Sequence, residues 1–129
     1  MREKHILVID DDPSIRDLIQ ALLENFGYTS DTAENGREAV AKLSQAYDAI
    51  VLDYFMPDIT GLTVLGHIRR TYPDIPVVML TGHTEGQVAV QALAAGARTC
   101  LYKPFDCQEL KEVLNGLVGT VESEQLAST

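Results

Sequence analysis

Tryptophan is absent from this chain, and phenylalanine and tyrosine together make up only 6% of its 129 residues. Cysteine occurs twice, and Cys100 and Cys107 form neither a CxxC pair nor a zinc-type spacing. That excludes a disulfide scaffold and a zinc module, and the thiols read as reduced. Positive charge is also scarce. Ten Lys and Arg stand against nineteen Asp and Glu, a formal net charge of −9. Affinity for nucleic acid comes largely from cations that displace counterions from phosphates, so no direct nucleic-acid binding is expected. Adhesion to an anionic membrane is disfavoured by the same sign of charge. No apolar run approaches the roughly 20 residues that span a bilayer. The opening MREKHILVIDDD turns acidic where a secretory leader would stay apolar, which predicts a cytoplasmic chain.

What remains is ordinary globular usage, 46% hydrophobic and 22% charged, in a length that suits one domain with one core. His5 to Ile9 is a short branched apolar run, as in a strand buried on both faces. Asp12-Pro13 then opens a helix with an N-cap carboxylate and a proline at the first helical position. Ile15, Leu18, Ile19, Leu22, Leu23 and Phe26 recur at helical spacing, and Gly27 is a natural stop. Tyr28 to Ala33 reads as a weaker strand. Asn35-Gly36 starts a second helix with Ala39, Val40 and Leu43 on its inner face. Ala49 to Leu52 is a third strand, and Leu62, Leu65 and Ile68 mark a third helix broken at Tyr72-Pro73. Pro76 to Leu80 is a fourth strand, followed by a helix with Val88, Ala89, Ala92, Leu93 and Ala95 inward and Gly96 closing it. Thr99 to Tyr102 is a fifth strand, and Leu110, Val113, Leu114 and Leu117 mark a fifth helix. Residues 118–129 are polar and small, a tail or the start of a linker.

Strands alternating with helices call for an α/β fold, a doubly wound parallel sheet joined by right-handed crossovers. Binding crevices in such sheets lie beyond the carboxyl ends of the strands. Asp10, Asp11 and Asp12 follow the first strand, Asp53 the third, Thr81 the fourth and Lys103 the fifth. Asp12 alone reads as a helix cap. The other carboxylates, gathered at one point, repel unless a cation is present. A hard divalent ion held by one or two carboxylates and water resolves this, which points to Mg²⁺ or Mn²⁺. A lysine and a hydroxyl beside them suit the oxygens of a phosphoryl group.

VIDDDPSIR, LDYFMPDITGL, MLTGH and LYKPF occur in that order over Lys4 to Leu117. Together they resemble the receiver domain of two-component response regulators. The resemblance implies a flavodoxin-like five-stranded sheet of order 2-1-3-4-5, with residues 1–117 as the receiver. It also implies roles. Asp53 matches the phospho-acceptor, charged by a phosphohistidine on a sensor kinase or a histidine phosphotransfer protein. Asp10 and Asp11 match the acidic pair that holds the metal, Asp11 directly and Asp10 through water, with Asp53 and the Phe55 backbone carbonyl as further ligands. Thr81 matches the hydroxyl that swings to the phosphoryl group, Lys103 the ammonium that pairs with it, and Pro104 the residue after a cis peptide bond. Phosphorylation would bias the face of the fourth helix, fifth strand and fifth helix, and so an output protein or a homodimer. Such a domain is not an enzyme on an external metabolite.

Three positions stand apart. The family usually carries Tyr or Phe where this chain has Cys100, and a thiol cannot fill and empty the same space; Tyr102, two residues on and facing the same side, is the expected substitute. Phe55 and His83 occupy rim positions that set how fast water removes the phosphoryl group in this family. Phe55 is expected to restrict water, and His83 reads as an exposed loop histidine. Two other functions fit parts of the sequence. Asp10 and Asp12 form a D-x-D pair like that of haloacid-dehalogenase-like phosphatases, although the motif continues differently from Pro13-Ser14. A receiver-like binding module that uses no phosphate is the second, and loss of Asp53, Lys103 or an acidic residue would mark it.

Overall fold

The chain's apolar runs and its mixed ones take different places in one sheet. Three strands, β1 (His5–Ile9), β3 (Ala49–Asp53) and β4 (Val77–Gly82), are almost wholly buried. The two others, β2 (Thr29–Ala33) and β5 (Thr99–Lys103), mix polar with apolar residues and are only partly buried. All pair in parallel in the order β2-β1-β3-β4-β5, so the mixed strands are the edges, where one side of the backbone ladder meets solvent. The computed structural model describes residues 3–82 and 86–119. Five helices complete it: α1 (Pro13–Phe26), α2 (Gly36–Lys42), α3 (Gly61–Thr71), α4 (Gly86–Ala94) and α5 (Cys107–Val118). This is the doubly wound, flavodoxin-like arrangement expected from the sequence.

Side chains of successive strand residues point to opposite faces, so each apolar run feeds two cores. Ile6, Val8, Val51, Val78, Leu80 and Leu101 pack under α1 and α5 against Ile19, Leu23, Leu110 and Leu114. Leu7, Ile9, Ile50, Leu52, Val77 and Met79 pack on the other side against Ala39, Val64, Leu65, Ile68 and Ala92 of α2, α3 and α4. Among the described residues no helix is long and apolar enough to cross a membrane.

Local chemistry sets the helix ends. Asp12, Asn35, Thr60 and Asp106 each accept a backbone N–H at a helix start, and Asp106 with Glu109 forms a reciprocal capping box. Gly27 ends α1 at φ 96°, in the left-handed region that favours glycine.

Several boundaries and faces differ from the sequence reading. Strands β3, β4 and β5 run on to include Asp53, Thr81 and Lys103, because their backbones keep pairing with the neighbouring strand. Tyr28 precedes β2 instead of opening it. Val64, outside the expected inner face of α3, is fully buried. In α4 the buried stripe is narrower than expected. Val88 and Ala92 face the core, whereas Leu93 is 50% exposed and Ala95 lies beyond the helix in solvent. The helix α5 reaches Val118, one residue into the expected tail, and residues 120–129 lie outside the described residues.

The start of α3 is pressed against the end of β3. Gly61 donates its N–H to the Tyr54 carbonyl at 2.7 Å. A Cβ on Gly61 would stand 2.5 Å from the Asp53 carbonyl oxygen and 2.9 Å from the Tyr54 Cα. Both obstacles are backbone, so Gly61→Ala forces the chain apart there. A loss of about 1–3 kcal/mol, read from urea unfolding midpoints, is the expected outcome.

Candidate functional site

Because β1 and β3 are adjacent and parallel, their carboxyl ends deliver Asp10 and Asp53 to one edge of the sheet. Asp10 is fully buried and Asp53 is 5% exposed, while Asp11 projects into solvent. One oxygen from each of these three carboxylates lies within 4.8 Å of the others. Across the sheet, β5 brings Lys103 over the same point. Its ammonium donates to Asp10 Oδ2 at 3.0 Å and to Asp53 Oδ1 at 2.9 Å. The single charged nitrogen therefore bridges the ends of two strands, to residues 93 and 50 positions before it in the sequence.

Asp10 is held at every polar atom. Its N–H donates to the Ala33 carbonyl at 3.2 Å, and its carbonyl accepts from Arg16 Nη1 at 2.8 Å. Its Oδ1 accepts the Asp12 N–H at 3.0 Å, which leaves Lys103 on Oδ2. Asp53 differs: among the described residues Lys103 is the side chain bonded to its carboxylate. Asp11 carries no hydrogen bond to its carboxylate among the described residues. The donors left open thus come from Asp11 and Asp53. These hard carboxylate oxygens, with those of Asp10 beside them, fit a magnesium-class cation.

Burial and charge together set the ionisation of the site. Burial pushes the Asp53 carboxyl up to about 7, the Asp10 and Asp11 charges add to that, and the Lys103 hydrogen bond and charge oppose it. Burial alone would pull the Lys103 ammonium down, but its bonds to Asp53 and Asp10 outweigh burial and hold it above its ordinary value. Three carboxylates share one ammonium, so a proton on Asp53 relieves the excess.

Thr81, on the strand between those of Asp53 and Lys103, is 1% exposed and sits in register with Tyr102. The Lys103–Pro104 peptide is cis. Phe55 is 59% exposed on the rim, with its ring edge-on to Tyr54 at 4.8 Å between centroids. Cys100 is in register with Met79 and packs half-buried against the α3 and α4 side of the core, where burial pushes its thiol up. Tyr102 stands two residues on and is 38% exposed. Asp12 caps α1 through the Ser14 N–H at 2.9 Å, outside the carboxylate cluster. His83 lies outside the described residues.

Three contributors escaped sequence reasoning. Arg16 holds the Asp10 carbonyl, and Gly61 lets α3 start against the Asp53 backbone. Asp58 accepts the N–H groups of Gly36 at 2.9 Å and Arg37 at 2.8 Å, tying the loop after Asp53 to the start of α2. The turn-forming string Pro57-Asp58 was its one local signal.

The pattern described as the response regulator receiver domain matches residues 6–115. The chain is 41% identical over 105 residues to the transcriptional regulatory protein CpxR homolog of Haemophilus influenzae, covering 81% of this chain and 46% of that one. It is 36% identical over 114 residues to response regulator SaeR of Staphylococcus aureus, covering 88% of this chain and 50% of that one. The chain thus spans about half the length of these curated relatives. Its fold superposes on Vibrio cholerae chemotaxis protein CheY4 with a TM-score of 0.83, at 34% identity over 90% of this chain and 99% of that one. Response regulator protein TrrA of Thermotoga maritima, in complex with Mg(2+)-BeF, superposes with a TM-score of 0.80 at 42% identity, over 88% and 98% of the two chains.

The raised Asp53 carboxyl has a consequence for stability. A folded-state value above the unfolded one contributes stability at low pH that is lost as pH rises through about 7. Asp53→Asn removes that charge yet keeps an acceptor for Lys103. In metal-free buffer the variant is expected to melt above wild type at pH 8, and the gap should shrink towards pH 5. Thermal melts across that range check it.

Proposed function

From the premise that this chain belongs to the response regulator receiver family, a family of two-component signalling domains, we propose that Asp53 is its phospho-acceptor. The observation that carries this reading is Lys103 bridging Asp10 and Asp53 beside an Asp11 carboxylate left open. An Asp53 oxygen attacks the phosphorus of a phosphohistidine on a sensor kinase or phosphotransfer protein. The phosphorus–nitrogen bond breaks as the new phosphorus–oxygen bond forms, and the imidazole leaves and takes up a proton. Lys103 offsets charge on the incoming phosphoryl oxygens, and the buried strand ends hold the acceptor in line. Asp11, Asp53 and the Phe55 carbonyl would hold Mg²⁺ or Mn²⁺, with Asp10 behind them, its oxygens already engaged. The cation, when bound, supplies charge neutralisation and alignment of the phosphoryl group.

The surroundings support a protein partner. An apolar cavity of about 280 Å³ adjoins Lys103, lined by Ile15, Leu18, Pro104 and Phe105, and Leu18 is half exposed. Such a rim beside a charged centre suits the surface that presents the phosphohistidine. Val90 and Leu93 of α4 and Tyr102 of β5 also expose apolar area, which would suit an output partner or a second copy. Phosphate on Asp53 would draw Thr81 inward and bias α4, β5 and α5 between two arrangements. Tyr102, in register with Thr81, would respond in the stead of Cys100. The output segment, in a cytoplasmic regulator, would lie outside residues 1–117.

Incubating the full chain with Mg²⁺ and acetyl phosphate, then measuring intact mass, tests the reading. Wild type should gain one phosphoryl group, Asp53→Ala none, and chelation of the metal should abolish the gain. A phosphate-independent module would show no gain at all, and a D-x-D phosphatase would keep label on Asp10 in the Asp53 variant.

Phe55 sets the lifetime of the product. Its ring is exposed two residues after Asp53, where it would restrict the approach of water. Phe55→Asn should shorten the phosphorylated half-life several-fold, measured as loss of the added mass after the donor is removed; equal half-lives would remove the idea.

A further inference from the structure

We propose that Arg16 is a positioning residue for the cation site, fixing the peptide from which Asp11 departs. This rests on the reading of Asp11 as a metal ligand. Arg16 lies in the first turns of α1, where Asp12 and Pro13 start the helix immediately after the acidic pair. Its backbone N–H donates to the Asp12 carbonyl at 3.0 Å, and its guanidinium turns back to donate to the Asp10 carbonyl at 2.8 Å. That carbonyl and the Asp11 N–H belong to one planar peptide unit, so holding the oxygen sets the plane.

The contact matters because of what Asp11 lacks. Ala33, Asp12 and Lys103 lock Asp10 through its N–H and its two side-chain oxygens. Among the described residues none of them reaches the Asp11 carboxylate, which is exposed and has no hydrogen bond of its own. Its direction is inherited from the backbone. Arg16 is the side chain that holds that backbone from the α1 side. Outer partners of this kind orient metal ligands, and their loss typically costs metal affinity.

Charge and geometry make opposite predictions here. A guanidinium close to the site repels a divalent cation, so on charge alone its removal tightens Mg²⁺ binding. If Arg16 acts by placing Asp11, its removal weakens binding despite the lost repulsion.

Calorimetric titration of the full chain with Mg²⁺ decides between them. Arg16→Ala should bind about 10-fold more weakly than wild type. Arg16→Lys, which keeps the charge but loses the planar fork, should fall between the two. In acetyl phosphate reactions the half-saturating Mg²⁺ concentration should rise in parallel, while the rate at saturation stays within about twofold. The amide resonances of Asp11 and Asp12 should also shift in metal-free Arg16→Lys, which covers the case of an alanine variant that does not fold. Unchanged or tighter Mg²⁺ binding in either folded variant overturns the proposal. Failure of wild type to bind Mg²⁺ overturns the underlying reading of Asp11 instead.

Discussion

The structure depends on one ammonium among three carboxylates. Asp10 and Asp53 are buried within a few ångströms of each other, and Asp11 adds a third negative charge at the mouth of the cluster. Burying unpaired charge of one sign is costly, so the arrangement persists only with a cation inside it. Lys103 fills that place within the chain, bonded to Asp10 and Asp53 at once. One ammonium does not balance three carboxylates. Burial, with that remaining excess, raises the Asp53 carboxyl, and the same excess is what suits the site to the proposed divalent cation.

The rest of the fold serves this point of unbalanced charge. Central strands buried on both faces hold Asp10 and Asp53 rigidly, because each is anchored by two cores rather than one. Gly61 lets α3 begin in van der Waals contact with the Asp53 backbone, and Asp58 pins the intervening loop to α2. The flanks are less constrained. The stripe that α4 buries is narrow, and Val90 and Leu93 face water. A helix with few inward anchors costs little to move, which is what the proposed switch would require.

How much of this was legible differs from residue to residue. The runs HILVI and AIVL could be read as strands because burial on both faces removes any need for alternation. Asp12-Pro13, Asn35-Gly36 and Gly27 were legible as helix ends because capping is local chemistry between residues two or three apart. The inner face of α4 was overestimated, since Ala and Leu at helical spacing describe an apolar stripe without saying whether a neighbour covers it. Val64 was missed for the complementary reason: α3 lies deeper than its narrow stripe implied. Asp10, Asp11, Asp53, Thr81 and Lys103 were legible as a set because each ends a strand, and parallel strands put their ends together. Arg16 carried no such signal. An arginine on an amphipathic helix looks like solvated surface until the fold shows what its guanidinium touches.

The sequence by itself therefore determined the order of elements, the parallel sheet they must build and the identity of the carboxylates, lysine and hydroxyl at its carboxyl edge. All of these follow from patterns that repeat within a few residues. Only the tertiary structure decided that Lys103 spans Asp10 and Asp53, that both Asp10 oxygens are already engaged, and that Asp11 is left open. Those contacts join positions 93 and 50 residues apart, and their distances depend on how crossovers and two cores set the strands side by side, which no local pattern encodes.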